Sequence, residues 1–379
     1  MADSPFLIAG GGIAGLAAGL GLARIGKSSH IFEKTPTFEA IGAGLQLGPN
    51  AVRALQYLGA WDAVAPHCVS PTGIHVRDGI SGSILQRIPL GAIFEKQFGA
   101  PYRVAHRADL QNGLLESVRR NPAIKLQNNA EIATASISKT LLTMKSGETI
   151  GGVAIIAADG VQSTIRNHMN SQASSRPAGH TLYRKLIPLA SLPPDIEPDL
   201  VTLWLYPGGH VVHYAVSNWK QFNLVATVED SQSSPNNAFR RACEPLADIL
   251  ALPTQWLKWP ALDIEPNPNW AENRTILVGD AAHATLPYLA QGAAMALEDA
   301  CVLSGLLQNA DDIPFAFQKF SKLRFKRTRA IQMRSRQLGK IYHAKGALRL
   351  ARNVILKATS PRNFTRQFSW VYDWKTLRE

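Results

Sequence analysis

The sequence predicts an α/β fold: a discontinuous domain built on parallel strands, an inserted and mainly antiparallel β-sheet, and a C-terminal helical segment. Three observations predict it. A strand, glycine turn, helix and second strand follow one another in the first 33 residues. Hairpin-spaced apolar runs replace that rhythm between residues 181 and 228. Beyond residue 313 the apolar residues recur at helical spacing in a strongly basic segment.

Composition sets the bounds. The chain has 379 residues, 46% hydrophobic and 18% charged, which implies two domains and excludes a disordered chain. Three distant cysteines (Cys68, Cys243, Cys301) form no C-x-x-C pair. A disulfide scaffold or a metal site is therefore not expected, and a reducing, cytoplasmic setting fits. The uncharged run from Pro5 to Ala23 approaches bilayer-spanning length. No Lys or Arg precedes it, and its six glycines make a poor free-standing helix, so no transmembrane segment is expected.

Phe6 to Ala9 reads as a buried parallel strand. It runs into Gly10-Gly11-Gly12-Ile13-Ala14-Gly15, a G-x-G-x-x-G turn opening a helix that closes near Gly26. The strand Ser29–Phe32 follows and ends at Glu33. This order is the Rossmann-like dinucleotide signature. Gly10 permits the tight turn, Gly12 lets backbone approach a pyrophosphate, and Gly15 lets helix and strand pack closely. Helix amides then face the phosphates. Glu33, eighteen residues past Gly15, is placed to bind a ribose hydroxyl. An acid there disfavours a 2′-phosphate, so FAD or NAD is expected rather than NADP. The bland alternative is a glycine-rich turn in a buried helix.

Further stretches carry a resemblance. Ile155 to Arg166, centred on Asp159-Gly160, is similar to the D-G motif of flavoprotein aromatic hydroxylases. Ile276 to His283, centred on Gly279-Asp280, is similar to their G-D motif, continuing through Ala290-Gln291-Gly292-Ala293 to Ala296-Leu297-Glu298-Asp299-Ala300. His106-Arg107-Ala108-Asp109-Leu110 and Ile41-Gly42-Ala43-Gly44 to Asn50 resemble two more of the family's segments. The chain thus resembles the single-component FAD-dependent monooxygenases of the p-hydroxybenzoate hydroxylase fold, from residue 5 to about residue 310. Its Ala290-Gln291-Gly292-Ala293 is similar to the salicylate hydroxylase and 3-hydroxybenzoate 6-hydroxylase branch, where many other relatives have Gly-Gln-Gly.

The resemblance implies an aromatic ring hydroxylase holding FAD, with NAD(P)H as transient co-substrate and O2 as oxidant, acting through a flavin C4a-hydroperoxide. FAD-binding positions would be Gly10, Gly12, Ile13, Ala14, Gly15, Glu33, Lys34, Ala43, Gly44, Arg107, Asp159, Asp280, Gly292, Ala293 and Ala294. Arg107 could reach the pyrophosphate, and the helix after Gln291 could face the pyrimidine oxygens. The bland reading of Asp159 and Asp280 is turn or helix capping.

After Arg166 the texture changes. Thr181–Ile187, Leu200–Leu205, His210–Val216 and Phe222–Val228 read as strands, and Ala238–Leu250 as a short helix. Residues 72–101 add strands. The expected division is 1–71, 102–175 and 265–310 for the FAD-binding domain, 72–101 and 176–264 for a substrate domain, and 311–379 for C-terminal basic helices. On one strand His210, Val212 and Tyr214 share a face, opposite Val211 and His213. By resemblance, His210 is the expected base or hydrogen-bond partner of a phenol, Tyr214 its anchor, Arg184 an attractor of a carboxylate, and Gln291 a direct contact at the catalytic site. Their bland readings are a hydrogen-bonded strand His and packing residues. His283 is read as structural.

From Ile313 to Tyr372 there are fifteen Lys or Arg and no Asp or Glu. Phe317, Phe320, Leu323 and Ile331 form the expected buried stripe, and the basic residues are read as a solvated face. Steering of anionic substrates is a second reading. Nucleic-acid binding finds no motif. The partners expected are a small aromatic substrate, O2 and NAD(P)H, with a homodimer compatible. The alternatives are a related flavin monooxygenase on an alkaloid, polyketide or quinone precursor, or a catalytically silent FAD-binding module.

Overall fold

The computed structural model describes residues 4–38, 43–169, 173–232 and 234–376. Ile41 and Gly42, which open one of the resembling segments, lie outside the described residues.

The first sheet has six strands, in the order Ala271–Glu272, Thr275–Leu277, Ala154–Ala157, Phe6–Ala9, Ser29–Phe32 and Ile124–Gln127. All neighbours are parallel except the first pair. Phe6–Ala9 and Ala154–Ala157 are buried throughout, as continuous apolar runs covered on both faces require. The chain leaves Phe6–Ala9 to one side for Ser29–Phe32 and returns on the other side as Ala154–Ala157. Strand order therefore reverses at the carboxyl end of Phe6–Ala9, where such sheets open a binding crevice.

The second sheet has seven strands, in the order Leu257–Ile264, Ser175–Pro188, Gln221–Glu229, Gly209–Val216, Leu200–Tyr206, Gly73–Asp78 and Ile84–Pro89. It is antiparallel except where Leu200–Tyr206 meets Gly73–Asp78. Four of its strands lie where the alternation predicts them, each extended by one residue or more. His210 pairs with Thr227, and Tyr214 with Asn223.

Two local expectations need correction. The helix expected over 238–250 runs from Glu244 to Ala251, with a separate turn at Pro235–Ala238. Pro245 explains this: it has no N–H to donate, so it starts a helix rather than sitting inside one.

The other correction concerns the long helix Ile313–Tyr342. Phe317, Phe320 and Ile331 are fully buried, but Leu323 is 45% exposed. The buried stripe passes instead through Arg324, Thr328 and Ser335. Nor are the basic residues simply solvated. Arg324 and Arg327 pair with Glu298 at 2.8 and 2.6 Å. Arg336 pairs with Asp263 at 2.6 Å, and Lys345 with Glu229 at 2.7 Å. Arg349 and Arg352, from the next helix Gly346–Ala358, pair with Asp78 at 2.5 and 3.5 Å. The acids come from distant segments, so a local reading of charge could not see them.

Candidate active site

Three adjacent parallel strands end in the same place. Gly10 follows Phe6–Ala9, Ala158-Asp159-Gly160 follows Ala154–Ala157, and Gly279-Asp280 closes the strand Thr275–Leu277. Gly10 has φ +104°, and a Cβ there would meet the Ala158 carbonyl oxygen at 2.5 Å. A Cβ on Gly15 would stand 1.9 Å from the Gly10 oxygen. Only glycine allows this turn and this approach of helix Ile13–Arg24 to the strand.

These ends open into a cavity of about 350 Å³. Gly12, Ile13, Ala14, Gly44 and Gly160 line it on one side, and Gly292 and Ala293 at the start of helix Gly292–Leu307 on the other. The second sheet contributes Arg184, His210, Tyr214 and Thr227. Asp280 opens onto the cavity, and desolvation by its walls raises its pKa above the ordinary carboxylate value, against the pull of His283 and Arg107. Among the described residues it is the one acid in the lining; Arg107 and Arg184 are its cations.

The residues present fit a dinucleotide. A Cβ on Gly12 would meet nothing within 4 Å, so backbone there is open to a ligand. Two helices aim their first turns at the cavity, with amides that have no partner within the helix. Asp159 holds the Ile165 amide with Oδ2, while its buried Oδ1 has no hydrogen-bond partner. Glu33, at the end of Ser29–Phe32, accepts from the Gly11 amide at 2.8 Å. It lies beside the glycine turn, and its other oxygen accepts from the Thr35 amide and hydroxyl at 3.0 and 2.9 Å. Lys34 is exposed next to it and does not line the cavity. Arg107 opens helix Arg107–Arg119, and its amide donates to the Ala43 carbonyl at 2.8 Å. Ala294 is fully buried behind Ala293.

The side chain of Gln291 points elsewhere: its Oε1 accepts from Asn50 Nδ2 at 2.8 Å, and it is absent from the cavity lining. The same Asn50 amide reaches Glu298 at 2.8 Å. Behind it lies a buried ionic network. Asp299 accepts from the Gly279 amide at 2.9 Å and from His283 Nε2 at 2.6 Å, with Arg324 at 2.7 Å. His283 thus holds the loop bearing Asp280, in line with its structural reading.

A smaller pocket of about 120 Å³ adjoins the cavity. Its walls include Phe94, Tyr102, Tyr288, Phe364, Phe368 and Tyr372. His210, Val212, Gln46, Pro287 and Ala290 line both spaces, so His210 stands at their junction. Tyr214 and Arg184 line only the larger cavity. Burial keeps His210 well below the usual histidine pKa, so it is neutral at pH 7. On the opposite face His213 accepts from Trp204 Nε1 at 2.9 Å and is lowered to about 3 by burial. Alternation thus separates the two histidines. The pocket's aromatic walls were not anticipated. Three come from residues 364–372, and no motif marks a wall residue so far from the motifs it serves.

Ala290 holds φ 51° and ψ 39°, a left-handed conformation that costs a non-glycine residue about 1–2 kcal/mol. Ala290→Gly should stabilise the protein by about 0.5–1 kcal/mol once glycine's extra unfolded-state entropy is subtracted. Denaturant melts check this, and an unchanged or lower midpoint contradicts it.

Fold and site together define a flavin-type dinucleotide enzyme with an aromatic pocket against its redox cavity. The chain matches the family model described as FAD binding domain over residues 3–310, and it belongs to that family. It is 36% identical to a 3-hydroxybenzoate 6-hydroxylase of Polaromonas naphthalenivorans (strain CJ2), covering 98% of this chain and 96% of that protein. A salicylate hydroxylase substrate complex superposes with TM-score 0.80 at 25% identity, covering 98% and 96% of the two chains. Klebsiella pneumoniae HpxO complexed with FAD and uric acid shares the fold, with TM-score 0.86 at 23% identity and 97% coverage of each chain. The chain is an FAD-dependent aromatic hydroxylase, a class that uses NAD(P)H and O2. Among the described residues no helix is long and apolar enough to cross a membrane.

Proposed function

We propose that this enzyme hydroxylates a small phenolic acid of the hydroxybenzoate class. The observation that carries the reading is the pocket of about 120 Å³, aromatic-walled and meeting the dinucleotide cavity at His210. Its aromatic walls suit a flat single ring. FAD, when bound, supplies reduction by NAD(P)H and the oxygen-transfer chemistry. The chain's own residues do the rest. The aromatic walls hold the ring and exclude water. Neutral His210 accepts the phenol proton, which makes the ring electron-rich. Arg184 has a buried Nε without a hydrogen-bond partner, and no carboxylate among the described residues pairs with it, which supports a role in attracting the substrate's anion. Tyr214 stands beside it on the cavity wall.

In this reading, residues 72–101 and 176–264 form the substrate unit, 1–71, 102–175 and 265–310 hold FAD, and 311–379 close the aromatic pocket. Gly12, Asp159, Glu33, Arg107 and Asp280 would hold the dinucleotide. The amides of Gly292 and Ala293 would face its redox ring. Cytoplasmic residence and a homodimer belong to the same proposal and are checked by fractionation and sedimentation.

The test is NADH oxidation by the purified holoenzyme with a panel of hydroxybenzoates, together with product analysis. Stimulation with stoichiometric hydroxylated product supports the proposal. Failure of every phenolic acid to stimulate overturns it in favour of another substrate or a silent binding module. Arg184→Met should raise KM for the acid about tenfold while kcat changes little, as expected for loss of one charge-assisted contact of about 1.5 kcal/mol. Equal KM in variant and wild type removes Arg184 from the substrate.

A further inference from the structure

His210 does not end in the protein core. Its Nδ1 lies 2.9 Å from His343 Nε2, and His343 Nδ1 lies 3.0 Å from His180 Nε2. His180 Nδ1 lies 2.9 Å from the Ala178 carbonyl oxygen. His210 Nε2 faces Thr227 Oγ1 at 3.4 Å, on the cavity side. The three rings come from separate elements: strands Gly209–Val216 and Ser175–Pro188, and the residue ending helix Ile313–Tyr342. Strand Gln221–Glu229 separates the two histidine strands, and His343 bridges across it.

The carbonyl sets the polarity of the whole chain. A carbonyl oxygen only accepts, so His180 carries its proton on Nδ1. Its neutral Nε2 then accepts from His343 Nδ1–H. His343 Nε2 accepts in turn from His210 Nδ1–H. The lone pair that can take a proton is on His210 Nε2, at the junction of cavity and aromatic pocket, where it accepts only a long contact from the Thr227 hydroxyl that a phenol would displace. One backbone carbonyl at the far end thereby prepares a base at the near end.

We propose that His210, His343 and His180 form a proton relay from the substrate phenol to solvent. This rests on the phenolic substrate proposed above. The phenol O–H bond breaks and His210 Nε2–H forms. His210 Nδ1–H passes to His343 Nε2, and His343 Nδ1–H passes to His180 Nε2. His180 is then an imidazolium, and it loses its Nδ1 proton to groove water once the hydrogen bond to the Ala178 carbonyl opens. When the product's phenol is reprotonated, the same transfers run backwards and reset each ring.

The surroundings favour this direction. His210 and His343 are buried, and burial and neighbouring charge oppose a cation on either; His343 is lowered to about 3, with Lys345 and Arg352 adding to the effect. His180 is half-buried and opens to a groove shared with the acids Glu229 and Asp263 and the cations Arg176, Arg336 and Lys340. His343 also touches this groove, but His180 is the more exposed of the two and ends the chain there. His343 and His180 touch no substrate: they are positioning residues that act through His210.

The test mixes oxygen-free holoenzyme with 3-hydroxybenzoate in weak buffer. The flavin spectrum reports binding, phenolate absorbance reports ionisation, and an indicator dye reports proton release. Wild type should bind, ionise the phenol and release a proton at the same rate. His343→Leu and the half-exposed His180→Ala should bind with unchanged Kd but release protons about a hundredfold more slowly. Added imidazole should restore the rate in His180→Ala, a rescue that a packing defect would not show. Wild-type release rates in both variants overturn the relay and leave the substrate assignment standing. Wild type that binds no phenolic acid overturns the assignment and the relay with it.

Discussion

Arg324→Met is expected to destabilise the protein by about 3–5 kcal/mol, the usual consequence of leaving a buried charge without its partner. Arg324 is 2% exposed and lies between Glu298 and Asp299, both buried, at 2.8 and 2.7 Å. Arg327 would still serve Glu298, but Asp299 would keep no guanidinium, only the His283 ring and a backbone amide. Asp299 also holds the Gly279 amide, so the defect reaches the loop that carries Asp280. Loss of FAD on gel filtration should accompany the lower denaturant midpoint. Adding Asp299→Asn removes the orphaned charge and should recover part of the stability. A loss below about 1 kcal/mol in the single variant would show that the network is dispensable.

The same network has an acid limit. Both carboxylates are held below their ordinary pKa; burial opposes this but is outweighed, by Arg327 and Arg324 at Glu298 and by His283 and Arg324 at Asp299. A carboxylate with a depressed folded pKa binds its proton more readily when unfolded. Its stabilisation is therefore complete above the unfolded value of about 4 and is lost as pH falls below it.

His210→Gln is expected to lower hydroxylation at pH 7 by about 10²–10⁴-fold, the range for removing a positioned base. NADH consumption should persist, with hydrogen peroxide replacing hydroxylated product. The pH profile separates this from a damaged pocket. Wild-type His210 is held neutral by burial, so its Nε2 is unprotonated and able to accept a proton throughout the neutral range. The variant must wait for the phenol to ionise unaided, so its rate should climb toward about pH 10, the ordinary phenol range. A variant with wild-type product yield would remove His210 from the chemistry. A variant uniformly slow at every pH would assign it to packing.

Some of this protein is legible in a single line of sequence because the constraint is local. The turn from Gly10 to Gly15 must be glycine where a Cβ would strike backbone, whatever the rest of the chain does. Alternation along Gly209–Val216 assigns His210 and His213 to opposite faces before any partner is known. The Asp159-Gly160 and Gly279-Asp280 pairs end buried strands, and neighbouring parallel strands bring such ends together. On Ile313–Tyr342 the buried stripe departs from the apolar periodicity at Leu323, because Arg324 is buried by counter-charges that lie outside the helix.

Those counter-charges mark the boundary. The long basic segment looks unpaired because Asp78, Glu229, Asp263, Glu298 and Asp299 lie tens to hundreds of residues away. The amino-acid order by itself determined the glycine turn, the strand faces and the acids at the strand ends, since each depends on neighbours within a few residues. Only the tertiary structure decided the aromatic pocket, the salt links of the last helices and the contact of His210 with His343, since these join residues whose separation along the chain carries no periodic or steric signal.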